Sequence, residues 1–321
     1  MKQALLIRFG GLGDLLVALP SIRYIRSKHP NAKLILACRE DYGLLFREAG
    51  LVDEIVPEDS RFLTAWFSEA PEEKGALSDL LRSFDLVLGW THGRENHLTS
   101  VLNRTAPPAG LHIIHADPRE SGQLSRFFFR KTAEMLGVRR ALPIDGWARL
   151  LTDRLPKAEI LDWWCGAERE KRFVTVHPGS GSESKRWPLR SFLQIIGRLG
   201  ERGIAGALVT GEAEEKLEPE IERSGLPQGW IWVRRPGLMT LASLLSETRL
   251  YLGNDSGVTH LAAACGAEIV ALFRGDLASV WEPLGRVRLH IGSSLSEIEL
   301  EPVWKTVASR LPGFSADSQI S

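Results

Sequence analysis

Cysteine, methionine and tyrosine are scarce in this chain, three of each among 321 residues. Cys38, Cys165 and Cys265 are odd in number and far apart, which argues against a disulfide framework and a zinc cluster and makes a reducing cytosol the natural compartment. Net charge is lacking altogether, with 40 Lys plus Arg against 40 Asp plus Glu. No global field therefore recruits nucleic acid or an acidic membrane, and any basic site must be local. Long apolar runs are absent too: nothing approaches the roughly 20 residues a membrane span requires. The stretch Met1-Lys2-Gln3-Ala4-Leu5-Leu6-Ile7-Arg8 is too short in its apolar part for a signal peptide and reads as a first strand.

What is present is an ordinary globular composition, 44% hydrophobic and 25% charged, in a chain long enough for two domains. Short apolar runs alternate with segments of helical periodicity. Strands are expected at 4–9, 33–38, 54–56, 85–88 and 110–115, with helices at 15–27, 42–49 and 124–136. Between Ala141 and Lys171 the pattern loosens around Pro143, Pro156, Trp163 and Trp164. Alternation restarts with strands at 173–176, 207–210, 230–233, 249–252 and 268–273, and helices at 189–202, 213–224, 238–246, from Ser256, and 296–311. Strands alternating with helices imply parallel sheets covered on both faces, hence two Rossmann-like α/β domains. The expected division is 1–155, a linker 156–171, a second domain 172–311 and a polar tail 312–321.

Ligands of open α/β sheets bind beyond the carboxyl ends of the strands, so three loops become candidates for a shared cleft. In the first, Gly11-Leu12-Gly13 supplies two glycines of a dinucleotide fingerprint, but Leu16 stands where the third belongs, and that reading fails. Asp14 remains, either as a helix N-cap worth about 1 kcal/mol or as a carboxylate placed to accept a proton. The second loop, His177-Pro178-Gly179-Ser180-Gly181-Ser182-Glu183-Ser184-Lys185-Arg186-Trp187-Pro188, is not a P-loop, since Ser184 and Arg186 flank Lys185 where Gly and Ser or Thr are needed. It still offers amides, hydroxyls and a mobile cation, the ingredients of a phosphate site or simply of a solvated loop. The third, Asn254-Asp255-Ser256-Gly257, ends a strand and opens an Ala-rich helix. Ser256 or Asp255 can cap that helix, whose free amides and dipole attract phosphate, and His260 lies one turn further on. Lys185 and the Ser256-Gly257 helix end would together clamp a diphosphate. A base opposite such a clamp suits group transfer with the diphosphate as leaving group.

Gly13-Asp14 with Leu19-Pro20, then His177-Pro178-Gly179-Ser180 with Lys185, Trp187 and Pro188, then Asn254-Asp255-Ser256-Gly257 with His260-Leu261-Ala262-Ala263-Ala264 form an ordered set that resembles the lipopolysaccharide heptosyltransferases. These are inverting glycosyltransferases of the GT-B type, with two facing Rossmann-like domains and an interdomain cleft. The likeness runs from about Ile7 to Leu284. It implies transfer of a heptose from ADP-heptose to the inner core of lipopolysaccharide, with no obligatory metal and no cofactor besides the nucleotide-sugar substrate. The acceptor places such an enzyme in the cytoplasm, at the inner-membrane surface. Position by position, the resemblance implies Asp14 as base, with Gly13 beside it on the acceptor side. It gives Lys185, with Ser180 or Ser182, to the diphosphate, and Asp255, Ser256, Gly257 and His260 to the donor phosphate turn. One of Glu212, Glu214 and Glu215 would bond the donor ribose.

The chain departs from the common family pattern at Val258-Thr259 and at Arg274-Gly275-Asp276-Leu277, near the sugar end of the donor in such folds. Arg126, Arg130 and Lys131, interleaved with Phe127, Phe128 and Phe129, are candidates for acceptor phosphates or a membrane face, against the simpler reading of a solvated amphipathic helix. His92 and His97, near Arg94 and Glu95, follow a strand on the acceptor side without metal-ligand spacing. Alternatives to heptosyl transfer are the same fold using another nucleotide sugar or acceptor, hydrolysis or epimerisation of a sugar nucleotide, and a nucleotide-binding module that has lost catalysis.

Overall fold

The computed structural model describes residues 1–60, 81–93, 110–140, 142–150 and 173–311. The chain divides into two compact units, Met1–Arg154 and Leu155–Ser321. The expected linker and polar tail, together with Arg94, Glu95, His97 and Cys165, lie outside the described residues. No described helix is long and apolar enough to cross a membrane.

In the first unit, strands β1 (Gln3–Ile7), β2 (Lys33–Cys38), β3 (Glu54–Pro57), β4 (Leu86–His92) and β5 (Leu111–Ala116) form a parallel sheet in the order β3-β2-β1-β4-β5. Helices α1 (Leu12–Lys28), α2 (Glu40–Glu48) and α3 (Leu124–Met135) belong to it. Ala4 to Ile7 of β1 and Leu34 to Cys38 of β2 are all buried, the continuous apolar run expected of strands covered on both faces. Leu5 and Ile7 pack with Ile35, Ala37, Leu81 and Val87.

The second unit carries a parallel sheet in the order β11-β10-β9-β6-β7-β8. Its elements are β6 (Val174–His177), α4 (Leu189–Gly200), β7 (Gly206–Thr210), α5 (Glu218–Ser224), β8 (Trp230–Arg234), α6 (Leu238–Ser246), β9 (Leu250–Asn254), α7 (Gly257–Cys265), β10 (Glu268–Arg274), α8 (Gly275–Trp281), β11 (Val287–Gly292) and α9 (Leu300–Ser309). Helix α4 buries Leu189, Phe192, Ile195, Ile196 and Leu199, one stripe at helical spacing. They pack on Val174, Val176, Leu252 and Val270 of the sheet.

The departures from expectation have local causes. The single helix expected over 213–224 is a 3-10 segment, Glu212–Leu217, followed by α5, because Pro219 sits in the first turn of α5 and can donate no amide there. The expected last helix is shortened to α9 and preceded by a 3-10 turn at Leu295–Glu297. Helix α8 and strand β11 are additional elements. Strand β11 lies at the sheet edge, and its Arg288 and Ile291 are exposed, so it lacks the apolar run that marks the inner strands.

Candidate active site

Each sheet has a switch point where successive connections leave in opposite directions, and ligands of open α/β sheets bind outside the carboxyl ends of the strands there. In the first unit it falls between β1 and β4, whose residues pair from Ala4 with Leu86 to Ile7 with Gly89. In the second it falls between β6 and β9, paired from Val174 with Leu250 to His177 with Gly253.

At the first switch point the chain leaves β1 through Arg8 and turns at Gly10, whose φ of +112° suits only glycine; a Cβ there would meet the Asp14 carboxylate at 2.8 Å. Gly11, not Asp14, is the N-cap of α1. Asp14 is the third helical residue, and its Oδ2 accepts the Gly11 amide at 2.9 Å, which satisfies one of the free donors of the first turn. The N-cap reading of Asp14 is thereby replaced by a carboxylate held from three sides. Its Oδ1 accepts from Arg8 Nη2 at 2.8 Å and from His92 Nε2 at 2.7 Å. Because a carboxylate only accepts, His92 carries its proton on Nε2 in this contact. Arg8 is 4% exposed and is fixed by bonds to the backbone oxygens of Asp14 at 2.8 Å and Trp90 at 3.1 Å, with its guanidinium carbon 5.5 Å from the centre of the Phe128 ring. Burial pushes the Asp14 carboxyl up, but His92, Arg8 and the Gly11 amide together outweigh burial and hold it below the usual carboxylate range. Asp14 itself is 24% exposed, so an ionised carboxylate is presented to solvent at the mouth of the turn.

At the second switch point the loops after β6 and β9 are tied together. Lys185 Nζ pairs with Asp255 Oδ2 at 2.9 Å, and the buried Ser180 hydroxyl donates to the Asp255 carbonyl at 2.8 Å. Asn254, fully buried at the end of β9, accepts the Trp187 amide at 3.0 Å and donates to the Pro178 carbonyl at 2.8 Å. Trp187 in turn donates its indole N–H to the Ile298 carbonyl at 2.8 Å, and its ring meets Phe192 edge-on, so it anchors the end of the Lys185 loop. Ser256 is the N-cap of α7 and accepts the Thr259 amide at 3.3 Å. Gly257 and Val258 therefore present first-turn amides, which have no partner inside a helix. Thr259 is buried, its hydroxyl bonded to the Asn254 carbonyl and 3.1 Å from the Tyr251 hydroxyl. The departure at this position thus packs beneath the turn. His260 is buried too, edge-on to Trp281 at 6.4 Å between ring centres.

Ser182 is not drawn into this cluster; it is exposed and its hydroxyl pairs with that of Ser184 at 3.1 Å. Of the three glutamates after β7, Glu212 and Glu215 are exposed, whereas Glu214 is 3% exposed. The Glu214 carboxylate accepts the Gly211 amide at 2.8 Å and lies so close to the loop after β6 that a Cβ on Gly179 would fall 2.2 Å from its Oε1. Arg186 joins the same two loops, donating to the carbonyls of Ser180 at 3.2 Å and Ala213 at 3.1 Å. His177, buried at the end of β6, bonds the Val209 carbonyl through Nδ1 at 3.0 Å, which places its proton there. Burial pushes its pKa down.

Two members of these clusters, Arg8 and Arg186, had no role assigned from the sequence. The available signal was position, since each stands at or just beyond the carboxyl end of a strand or in the loop that follows. Arg274 holds Asp276 through two bonds of 2.7 and 2.8 Å, which keep the carboxyl below its usual range. Arg126 and Arg130 stand two residues on either side of Phe128, on the exposed face of α3, while Phe128 itself packs on Arg8. They consequently face away from Arg8 and Asp14. Lys131 pairs with Glu134 at 2.9 Å. Among the described residues no group of His, Cys, Asp or Glu has the arrangement of a metal site.

Comparison with known proteins places these features in context. The model of glycosyltransferase family 9 (heptosyltransferase) matches residues 139–301. Lipopolysaccharide heptosyltransferase 1 of Pseudomonas aeruginosa is 25% identical over 317 residues, covering 91% of this chain and 84% of that protein. Among solved structures, a family 9 glycosyl transferase from Veillonella parvula superposes with a TM-score of 0.75 at 17% identity, covering 96% of this chain and 97% of its own. The E. coli heptosyltransferase WaaC with ADP superposes with a TM-score of 0.73 at 16% identity, covering 96% and 99%. At these identities the structural likeness establishes the two-domain fold.

Proposed function

The chain belongs to glycosyltransferase family 9, the heptosyltransferases, and from that membership we propose that it transfers a heptose from ADP-heptose to the inner core of lipopolysaccharide, inverting the anomeric centre. The similarity over most of its length to lipopolysaccharide heptosyltransferase 1 of Pseudomonas aeruginosa supports heptosyl transfer to lipopolysaccharide.

The observation that carries the reading is the tie between the loops at the β6 and β9 switch point, where Lys185, Ser180, Asp255 and the start of α7 come together. Lys185 and the Gly257 and Val258 amides hold the donor diphosphate, and Glu214, the inward glutamate after β7, accepts from the ribose. Asp255 then does two things: it keeps the Lys185 ammonium in place before the donor arrives, and its second oxygen remains an acceptor for a hydroxyl of the donor. Asp14, in the first unit, is the general base. The acceptor oxygen attacks the anomeric carbon, its proton passes to Asp14, the bond to the diphosphate breaks, and the electron pair leaves on ADP, where Lys185 and the helix amides stabilise it. A carboxylate held as tightly as Asp14 is a weak base. That suits a proton transfer that trails formation of the new C–O bond, once the hydroxyl has become strongly acidic. The enzyme works in the cytoplasm, at the inner surface of the membrane that carries the acceptor, and needs no metal because charge on the leaving group is met by Lys185 and backbone amides.

Calorimetric titration tests the donor site. ADP should bind tighter than UDP or GDP, and Lys185→Ala should weaken ADP about ten- to a hundredfold, the worth of one charge-assisted hydrogen bond. Equal affinity for the three nucleotides, or an unchanged affinity in Lys185→Ala, contradicts the assignment.

A further inference from the structure

The first unit contains a cavity of about 430 Å³ that no step of the transfer reaction uses. It lies along the exposed side of α3 and under the segment that follows that helix, and its size falls within the roughly 300–1,000 Å³ of ligand pockets. Its hydrocarbon lining comes from Phe127, Phe129, Ala133, Val138, Leu142 and Ile144. Leu142 at the rim is 37% exposed, one of the few large apolar side chains the described surface leaves open. Four arginines, Arg126, Arg130, Arg139 and Arg140, also line it, against the single carboxylate of Glu134. That carboxylate is already engaged by Lys131 at 2.9 Å and by Arg130 at 3.6 Å. Arg126 reaches Asp145 only at 3.9 Å with both groups exposed, and no carboxylate pairs with Arg139 or Arg140 among the described residues.

These properties select a ligand class. The walls supply many donors and much hydrocarbon, but their side-chain acceptors are few: Ser121, Gln123 and the Glu134 carboxylate, which Lys131 and Arg130 already engage. A hydroxyl-rich sugar would leave its O–H groups unsatisfied there. An anion carrying an aliphatic chain meets every requirement: guanidinium groups bind phosphate oxygens in a bidentate fork, and the apolar floor takes the first methylenes. Four guanidinium groups at the mouth and an open leucine at the rim point in addition to a ligand that stays in its bilayer.

We propose that this cavity seats the phosphate headgroup and proximal acyl chain of an anionic phospholipid of a bilayer, and so holds the first unit against the membrane surface. The attachment is separate from the donor site and does not rest on the transferase reading.

Flotation of the full chain with vesicles tests it without any need for turnover. Vesicles of phosphatidylcholine with one third phosphatidylglycerol should retain the wild-type protein, and phosphatidylcholine alone should not. Each unit of charge near an anionic surface is worth about fivefold, and each Arg-to-Glu reversal shifts two units, so Arg139→Glu/Arg140→Glu should lower membrane affinity more than about a hundredfold. Both side chains are exposed, and an unchanged circular-dichroism melt shows that the variant is folded. On wild-type protein, dihexanoyl-phosphatidylglycerol in excess should release the protein from the vesicles, whereas glycerol 3-phosphate at the same concentration should not. Equal retention of the double variant overturns the proposal. Equal release by glycerol 3-phosphate also overturns it, by reducing the cavity to a phosphate site. Retention only on vesicles that carry a phosphorylated glycolipid acceptor overturns it in favour of an acceptor subsite.

Discussion

Replacing Asp14 by Asn separates the chemistry of this carboxylate from its structural duty. The native group accepts from Arg8 at 2.8 Å, from His92 at 2.7 Å and from the Gly11 amide at 2.9 Å. An asparagine oxygen can keep the first two, but its NH2 then faces the Gly11 N–H, donor against donor. The buried Arg8 loses its counter-charge yet retains the Asp14 and Trp90 carbonyls. Losing the capping bond from Gly11 and the charge behind the bonds from Arg8 and His92, with Asp14 partly solvated, amounts to about 1–3 kcal/mol, a fall in melting temperature of several degrees for a unit of this size. The effect on rate is larger. General-base catalysis contributes roughly 10²- to 10⁴-fold, about 3–5 kcal/mol at 1.36 kcal/mol per decade. Single-turnover release of ADP, measured well below the melting transition, should therefore slow by at least about a hundredfold. ADP affinity should hold, because every contact described at the Lys185 and Asp255 loops is made within the second unit. The native pH profile carries the same signature. The Asp14 pKa is depressed, so its contribution to stability is fully present above the ordinary carboxylate pKa of about 3.9 and is lost only as pH falls through the lower folded value. Protonation of Asp14 should thus leave the rate untouched between pH 5 and 8. An Asp14→Asn enzyme within about threefold of the native rate, or an acid limb near pH 6 that disappears in the variant, would refute this account of the base.

Glu214→Gln should weaken ADP by about tenfold; the deoxy-ADP lacking the bonded ribose hydroxyl should lose as much with the native protein and no more with the variant, and additive losses in that cycle count against the ribose contact. Gly179→Ala forces a methyl to within 2.2 Å of Glu214 Oε1 and 2.6 Å of His177 Cε1. It should cost about 1–3 kcal/mol, read as a lower melting temperature, and an unchanged melt contradicts the packing described. Burial pushes the Cys38 and Cys265 thiols up to about 12 each, so their thiolate fraction at pH 8 is on the order of one in ten thousand. Alkylation mapped by peptide mass should spare both until the chain is unfolded, and rapid native labelling of either would show that it is not enclosed.

The inner strands were legible because strands covered on both faces must be apolar throughout, as Ala4 to Ile7 and Leu250 to Leu252 are. Strand β11 was not, since an edge position tolerates Arg288 and His290 between its apolar residues and weakens the run. Helix α8, seven residues long with Ala278 and Val280 as its buried members, is too short for periodicity to declare itself. At the second switch point Ser180, Lys185 and Asp255 could be grouped from their place after strand ends, and the structure joins them. Ser182 has the same chemistry and the same loop but points to Ser184. Burial, which no spacing encodes, distinguishes Glu214 from Glu212 and Glu215. The partners of Asp14 were hidden for a different reason. His92 is 78 residues away along the chain and is brought near by the pairing of β1 with β4, and β4 runs on to His92, beyond the strand end at Leu88 that the sequence suggests. The carboxylate's surroundings are a property of sheet order, and sheet order is what a single sequence states least directly.

Heptosyl transfer with inversion is decided by the bond that is made. Purified protein incubated with ADP-heptose and a lipopolysaccharide core lacking heptose, followed by mass spectrometry and NMR of the product, tests it directly. The acceptor should gain one heptose as ADP is released, with the anomeric configuration opposite to that of the donor. Retained configuration, or no transfer from ADP-heptose alongside transfer from a UDP or GDP sugar, would contradict it.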